Sequence, residues 1–237
     1  MNTVEIAAIG LHQDAERLRV LSHNVANIST PGYKRQIAIQ GAFSDVVNSE
    51  LTARSAMSTQ LDVGAGKLRA TGNPLDVAMS DREFLMVQTA EGSPALTRGG
   101  ALHVDARGRL VISAGLAVQG TSGELAVPTT ASDVRIDMNG QLFADDKLIG
   151  TLRVMKIGDK VLLAPLGEGL FGLQDTNDAQ PVQLPRVQSG HTEASNVVSS
   201  QEMVSLMATM RHAESMARLI QGADEALEKT IRKLGEM

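Results

Sequence analysis

The feature that most constrains this chain is a repeat of apolar residues, spaced alternately three and four apart, at each of its two ends. The N-terminal repeat runs from Val4 to Ile28, and the C-terminal repeat runs from Met203 to Leu234. A stripe with a mean spacing of 3.5 residues keeps facing one partner only when helices wind around each other, as in a coiled coil. The two ends therefore predict helices that pack against other helices, and they indicate assembly rather than catalysis.

The apolar positions of the two repeats form the assembly interface that the sequence predicts. In the N-terminal repeat these positions are Val4, Leu11, Leu18, Leu21, Val25 and Ile28, with Ala7 also in phase; in the C-terminal repeat they are Met203, Leu206, Met210, Ala213, Ala217, Ile220, Leu227, Ile231 and Leu234. One aspartate interrupts each stripe, at Asp14 and Asp224. A polar residue at such a position can fix the register or the number of helices at a cost in stability. The alternative is that each aspartate faces outward where the helices diverge.

The chain of 237 residues divides into four predicted zones. Residues 1–32 comprise a helix from about Thr3 to Ile28 and a turn at Pro31 and Gly32, since proline disfavours helix before it and glycine permits a reversal. Residues 33–70 form a connector or arm, residues 71–190 a β domain, and residues 191–237 the second helix. The predicted fold class is α+β, with long N- and C-terminal helices that pack as a coiled coil and a central, mostly antiparallel all-β domain.

Local signals support this division. Asn139-Gly140 lies between two alternating segments, which is the strongest short-range signal of a β-hairpin. A second tight turn is expected at Asp105 to Gly108. Ser199 followed by Glu202 fits a capping box at the start of the second helix, with Ser195 as a rival N-cap.

The predicted length of the second helix limits where its stripe can be buried. A helix of about 35–40 residues is about 55 Å long at 1.5 Å per residue. A single small β domain is too narrow to cover such a stripe. We therefore expect the helices to bury it against each other and against neighbouring copies of the chain.

Composition excludes several function classes. The net charge is −5 with no run of Lys and Arg, which argues against a nucleic-acid partner. Aromatic residues make up 2% of the chain, so a sugar-binding or other small-molecule cleft is not expected. There are no cysteines, and the histidines lack the spacing of zinc ligands. The sequence predicts no cofactor, no metal, no catalytic residue, no membrane insertion and no cleavable signal peptide.

Particular motifs resemble one protein family. The segment from Leu21 to Lys34 is similar to the N-terminal signature of the bacterial flagellar rod and hook proteins, in which a helix ends at a T-P-G-[YF]-K turn. The motif residues are Asn24, Asn27, Pro31, Gly32 and Tyr33. Ser195 to Val198 resembles the start of the family's C-terminal helix, and Gly72 to Ala78 and Thr97 to Leu102 resemble parts of its β domain.

The resemblance implies a structural subunit of the flagellar basal-body rod that polymerises through its terminal helices. It implies copies of itself, other rod and hook axial proteins and the flagellar export apparatus as partners. It also implies a location in the rod, in the periplasmic space. The length of the chain and its abbreviated zone of residues 33–70 favour the β-domain-bearing proximal-rod protein over the distal-rod protein. A periplasmic glycan hydrolase and a non-polymerising adaptor remain the alternatives from other functional classes.

Overall fold

Two helices and nineteen strands form the described part of the chain, which in this computed structural model comprises residues 3–39, 58–80, 82–158, 161–173 and 178–235. These residues group into two compact units. The helical unit contains residues 3–26, 36–39, 58–60 and 198–235, and the β unit contains residues 27–35 and the described residues between 61 and 197. The turn after the first helix, residues 27–35, groups with the β unit.

The helical unit is built on α1, Thr3–Ala26, and α2, Ser199–Gly235. Helix α1 carries Glu5 in its first turn, and α2 carries Arg232 and Lys233 in its last turn. Both placements complement the helix dipole. Strands β1, Gln36–Ile39, and β2, Ser58–Leu61, form a two-stranded sheet.

The remaining strands are short, as expected for a domain whose strands recur at close intervals. They are β3 Leu68–Ala70, β4 Val77–Met79, β5 Glu83–Gln88, β6 Pro94–Thr97, β7 Leu102–Val104, β8 Leu110–Ile112, β9 Gln119–Gly120, β10 Gly123–Glu124, β11 Val134–Ile136, β12 Gln141–Ala144, β13 Lys147–Thr151, β14 Val154–Ile157, β15 Leu163–Gly167, β16 Leu170–Leu173, β17 Ala179–Pro181, β18 Val187–Ser189 and β19 His191–Glu193. The largest sheet has the order β15-β16-β6-β5-β14-β17, and its neighbouring strands are antiparallel.

The core of the β unit lies on both faces of this six-stranded sheet. In β5, Leu85 and Val87 join one cluster of buried apolar side chains, and Phe84 joins a second. Alternation of this kind follows from the two-residue period of a strand. The first cluster also takes in Ile136 and Leu142 of the small β11-β12-β13 sheet.

The structure confirms the expected mixed fold, with an N-terminal helix, a C-terminal helix and an antiparallel β domain between them. The Asn139-Gly140 hairpin is confirmed, since β11 pairs with β12 across this turn. The turn from Asp105 to Gly108 likewise joins the paired strands β7 and β8.

Two expectations about helix ends are wrong. Helix α1 ends at Ala26, so Ile28 lies in the following turn and is not a position of the helical stripe. The N-cap is also displaced by one residue from Ser199, because the carbonyl of Val198 accepts the first helical bonds of α2, from the amides of Gln201 and Glu202. Ser195 instead accepts a hydrogen bond from the amide of Val197, two residues on, in a local turn.

Candidate assembly interface

Helices α1 and α2 pack against each other in antiparallel directions within the helical unit. The side chain of Asn24 meets that of Glu202, and Asp14 meets His212. Farther along, Met216 lies 3.6 Å from where a Cβ on Gly10 would stand. Each step towards the start of α1 is matched by an equal step forward along α2. Extension of this pairing to the start of α1 places Thr3 opposite Ala223.

The predicted positions on α1 lie on or beside this contact. Leu21 is buried, as are the in-phase Ala7 and Asp14. Val4, Leu11, Leu18 and Val25 are partly buried. Ile28, beyond the helix, is partly buried in the turn.

The predicted positions on α2 divide into two groups. Leu206, Ala213, Ala217 and Ile220 are partly buried, whereas Met203, Met210, Ile231 and Leu234 are exposed. Leu227 lies within α2. Among the α2 residues whose burial the structure describes, Glu202 and Thr209 are the buried ones, each one residue before a predicted one. Since one residue turns a helix by about 100°, the face towards α1 is turned partly away from the predicted stripe, so that Met203 and Met210 are exposed while the other four stay partly buried.

Sequence reasoning missed Glu202 and Thr209 because both are polar. Each has a partner that makes its burial tolerable. The Glu202 carboxylate accepts a hydrogen bond from Asn24 Nδ2 at 3.1 Å, and the Thr209 hydroxyl donates to the carbonyl of Ser205 at 2.9 Å. The sequence had singled out Glu202 as part of a capping box and not as a position of the helix contact.

Asn24, a motif residue, ties α1 to both α2 and β1 inside the helical unit. Its side-chain amide donates to the carbonyl of Gln36 at 2.9 Å and accepts from the amide of Gln36 at 2.8 Å. With its bond to Glu202, the fully buried Asn24 uses both ends of its amide. This explains why the motif places an asparagine near the end of α1.

The two aspartates of the apolar stripes have different environments. Asp14 is 4% exposed and its carboxylate lies 2.6 Å from Nδ1 of His212. The expectation that it faces outward is therefore wrong for Asp14. Asp224 is exposed, as that alternative predicted.

An apolar strip of α2 faces away from α1. Met203, Val204, Met207 and Met210 follow helical spacing along one side, and Val204 is 68% and Met207 58% exposed. Near the end of α2, Ile231 and Leu234 are each 69% exposed. Exposed apolar side chains in one strip mark a surface that a partner can cover.

In the β unit, the other motif residues form a tight turn. Thr30 donates from its backbone amide to the Asn27 carbonyl and from its hydroxyl to the Asn27 side chain, both at 3.1 Å. Pro31 is exposed, and Tyr33 is 7% exposed. Gly32 has a φ of 71°, and a Cβ there would overlap the backbone of Arg98. Only glycine meets both conditions without strain.

Directly after this turn, Lys34 enters a buried ion cluster with Glu193 and Arg98. Lys34 Nζ lies 2.7 Å from Glu193 Oε1, and Arg98 Nε lies 2.7 Å from Glu193 Oε2. Burial lowers the pKa of Lys34, and the nearby Arg98 lowers it further. Burial by itself would raise the pKa of Glu193, but the charge of Arg98 and the hydrogen bond from Lys34 outweigh this effect and keep that pKa below its ordinary value.

The only sequence signal for this cluster was the position of Lys34 in the turn motif. Nothing local connects Lys34 to Arg98 or Glu193, which lie far along the chain.

The β unit also contains an apolar groove, lined by Met86, Leu96, Met155 and Phe171 among others. Among the described residues, no group of three or more His, Asp or Glu side chains could hold a metal ion. In the same part of the chain, no helix is long and apolar enough to cross a membrane.

Three protein-family models match separate parts of the chain. Residues 5–34 match the description "Flagella basal body rod protein", and residues 78–144 match "Flagellar hook protein FlgE/F/G D1 domain". Residues 188–233 match "Flagellar basal body rod FlgEFG protein C-terminal". The three matches follow the order of α1 and its turn, the β unit, and α2.

Curated proteins from several bacteria match this chain along nearly their whole length. The flagellar basal-body rod protein FlgF of Escherichia coli is 31% identical, over 90% of this chain and 90% of that protein. The flagellar basal-body rod protein FlgG of Agrobacterium fabrum is 29% identical, over 95% of this chain and 96% of that protein. The FlgF protein of Caulobacter vibrioides is 25% identical, over 93% of this chain.

Proposed function

This chain belongs to the flagellar basal-body rod proteins, and we infer from that membership that it is a structural subunit of the rod, which serves flagellum-dependent motility. Its location is the flagellar basal body, and its partners are other axial proteins of the flagellum. The observation that carries this function is the full-length similarity to FlgF and FlgG rod proteins. We further propose a periplasmic position in the rod and delivery by the flagellar export apparatus.

The way in which subunits associate is a separate proposal. We propose that the exposed apolar strip of α2, Met203, Val204, Met207 and Met210, packs as a coiled coil against helices of neighbouring subunits. Support comes from its exposure on a side of α2 that α1 leaves uncovered. One side of α2 therefore packs against α1 within the chain, and the exposed apolar strip remains for assembly.

The end of α2 supports the same proposal. Because Thr3 stands opposite Ala223, the twelve residues from Asp224 to Gly235 extend beyond the described end of α1. At 1.5 Å per residue this segment is about 18 Å long. Ile231 and Leu234 belong to the predicted stripe, and on this segment they are available to a neighbouring subunit.

Substitution of Met207 by aspartate tests this interface. Met207 is exposed in the single chain, so Met207→Asp should change the free energy of unfolding by no more than about 0.5 kcal/mol. In the assembled rod it should leave an unpaired charge in an apolar contact, which costs several kcal/mol. We expect a folded monomer that no longer enters purified basal bodies and cells that do not swim in soft agar.

Ala208→Asp is the matched control, because Ala208 is exposed one residue later on the flank of the strip. It introduces the same charge and should leave incorporation intact. Normal swimming and normal incorporation of Met207→Asp would contradict the proposed interface.

We propose the proximal rod as the position of this subunit. The length of 237 residues and the short zone of residues 33–70 support this position. The identities to FlgF and FlgG relatives are nearly equal and do not decide between them. Expression of this chain in strains that lack one or the other protein tests the assignment, and rescue of only the strain without FlgG would overturn it.

The hydrolase alternative has no support from the groove of the β unit. Its lining side chains are apolar and offer neither a carboxylate pair nor hydrogen-bonding groups for sugar hydroxyls. A glycan-release assay on the purified protein tests this alternative directly.

A further inference from the structure

Three distant segments of the chain meet at one place in the β unit. They are residues 32–35 of the turn, residues 62–67, and residues 193–196; we call this place the junction. The amide of Gly32 donates to the carbonyl of Glu193 at 2.8 Å, and the amide of Asp62 donates to the carbonyl of Arg35 at 2.8 Å. The amide of Ala194 donates to the carbonyl of Lys67 at 2.8 Å. Each segment is therefore hydrogen-bonded to another of the three.

Side chains complete the junction. The Asn196 amide accepts from the backbone amide of Arg35 at 2.7 Å and donates to the carbonyls of Asp62 at 2.9 Å and Gly64 at 3.1 Å. Lys34 Nζ donates to the carbonyl of Gly64 at 2.7 Å. One asparagine thus contacts two of the segments besides its own.

Glu193 lies at the centre of these contacts. Its Oε1 accepts from Lys34 Nζ and, at 2.6 Å, from the amide of Gly66. Its Oε2 accepts from Arg98 Nε. One carboxylate therefore contacts the turn, the segment 62–67 and Arg98, the residue that follows strand β6.

The charges at the junction are removed from water. The side chains of Lys34, Arg98 and Glu193 are each 1% exposed. Arg98 also donates to the carbonyls of Ser80 at 2.8 Å and Glu83 at 2.7 Å, and its guanidinium lies 5.4 Å from the centre of the Phe84 ring. Arg98 is therefore fixed by the β unit whether or not Glu193 is charged.

A cluster of this kind is a poor way to gain stability, because desolvation of three charges is costly and an apolar cluster of equal size often does as well. The advantage of the buried charges is that their hydrogen bonds fix the geometry of the groups around them. Apolar side chains can pack in several ways, whereas a carboxylate that accepts from three fixed donors is satisfied in one arrangement. Removal of that carboxylate leaves two buried cations without their partner.

We propose that Glu193 is a positioning residue whose charge fixes the three segments of the junction in one arrangement. The apolar core holds the sheet, and the Glu193 carboxylate holds the turn 32–35 and the segments 62–67 and 193–196 to it. Loss of the charge at Glu193 releases these segments while the six-stranded sheet stays folded. The consequence for motility rests on the proposed function of this chain as a rod subunit.

Hydrogen exchange on the purified full-length chain tests the proposal without any assembly. In Glu193→Gln, which keeps the shape and removes the charge, the amides of Gly32, Asp62, Gly66 and Ala194 should exchange at least about tenfold faster. Amides of β5 and β6 should exchange at the original rate. Glu193→Asp retains the charge and should recover most of the protection.

Asp146→Asn is the matched control, because Asp146 also pairs with an arginine, Arg135, but its side chain is 87% exposed. It should change neither set of amides. Uniform loss of protection throughout the β unit in Glu193→Gln would overturn the proposal, since the residue would then contribute only to overall stability. Unchanged exchange at the junction would also overturn it.

A second variant covers the case in which Glu193→Gln does not fold. Lys34→Met removes one cation and keeps the pair of Arg98 with Glu193. Faster exchange confined to the junction supports the proposal, and either uniform loss or no change rejects it. Swimming of the same variants is scored separately, so a junction that opens without loss of motility would count against the rod role and not against the positioning role.

Discussion

Replacement of Asp14 by leucine tests whether this aspartate sets the register of α1 against α2. Asp14 is buried at a position where the stripe otherwise has apolar residues, and its carboxylate contacts the ring of His212. A leucine there would continue the stripe. We expect a helical unit that is more stable but less specific in register.

The structure allows the size of the effect to be worked out. Burial of a leucine side chain contributes about 1.5–3 kcal/mol. The contact that is lost contributes about 0–1 kcal/mol, because the His212 side chain is 54% exposed and solvent screens the pair. The free energy of unfolding of Asp14→Leu should therefore rise by about 1–2 kcal/mol, which urea titration followed by circular dichroism can measure.

Register is measured by disulfide formation, for which the cysteine-free chain is well suited. The pair Gly10→Cys and Met216→Cys reports the observed register, because these positions adjoin each other. The pair Gly10→Cys and Ala223→Cys reports a slip of one heptad, a shift of about 10 Å. With Asp14 only the first pair should form a disulfide, and with Asp14→Leu both pairs should.

Asp224→Leu is the control, since Asp224 is exposed and should influence neither register nor pairing. If Asp14→Leu cross-links only in the observed register, the register is set elsewhere, for example by Asn24 and Glu202. If the variant is less stable than the original chain, the comparison of burial with the lost contact is wrong.

Two further predictions concern the β unit. Gly32→Ala should lower the free energy of unfolding by about 2 kcal/mol or more, since alanine at a positive φ is strained and its Cβ meets the Arg98 backbone; thermal unfolding measures this, and Gly72→Ala, with a similar φ but open space, should cost less. Acid should open the junction: the native pKa of Glu193 is lowered, so its contribution is present above about pH 4 and is lost as the pH falls through the native value. Burial raises the pKa of Glu83, whose titration acts in the opposite sense and offsets part of this loss. Lys34 and Arg98 are the charged groups that contact the Glu193 carboxylate directly. In the original chain, the junction amides should lose their protection from exchange as the pH falls. In Glu193→Gln, their exchange should show no such dependence on pH. Identical acid profiles of the two chains would refute the prediction.

Much of the architecture could be read from local sequence. Periodicity predicts α1 and α2, the Asn139-Gly140 pair predicts a hairpin, and the turn at Pro31 and Gly32 follows from the restricted backbone of proline and the freedom of glycine. These features depend on neighbours within a few residues, so the sequence contains the information directly. The family motifs depend on the same short segments.

The rotational position of α2 could not be read in this way. The apolar stripe passes through Met203 and Met210, but the face towards α1 passes through Glu202 and Thr209. Polarity is a poor guide to burial when a partner is present, and the partner of Glu202 is Asn24, 178 residues away in sequence.

The amino-acid sequence by itself determined that this protein has a helix at each end, short antiparallel strands between them and the motifs of a rod subunit. Tertiary structure alone decided which side of α2 is left exposed and that Lys34, Arg98 and Glu193 share one buried site. The physical reason is range: backbone propensity and periodicity act between near neighbours, whereas the burial of a charge is decided by groups that only the folded chain brings together.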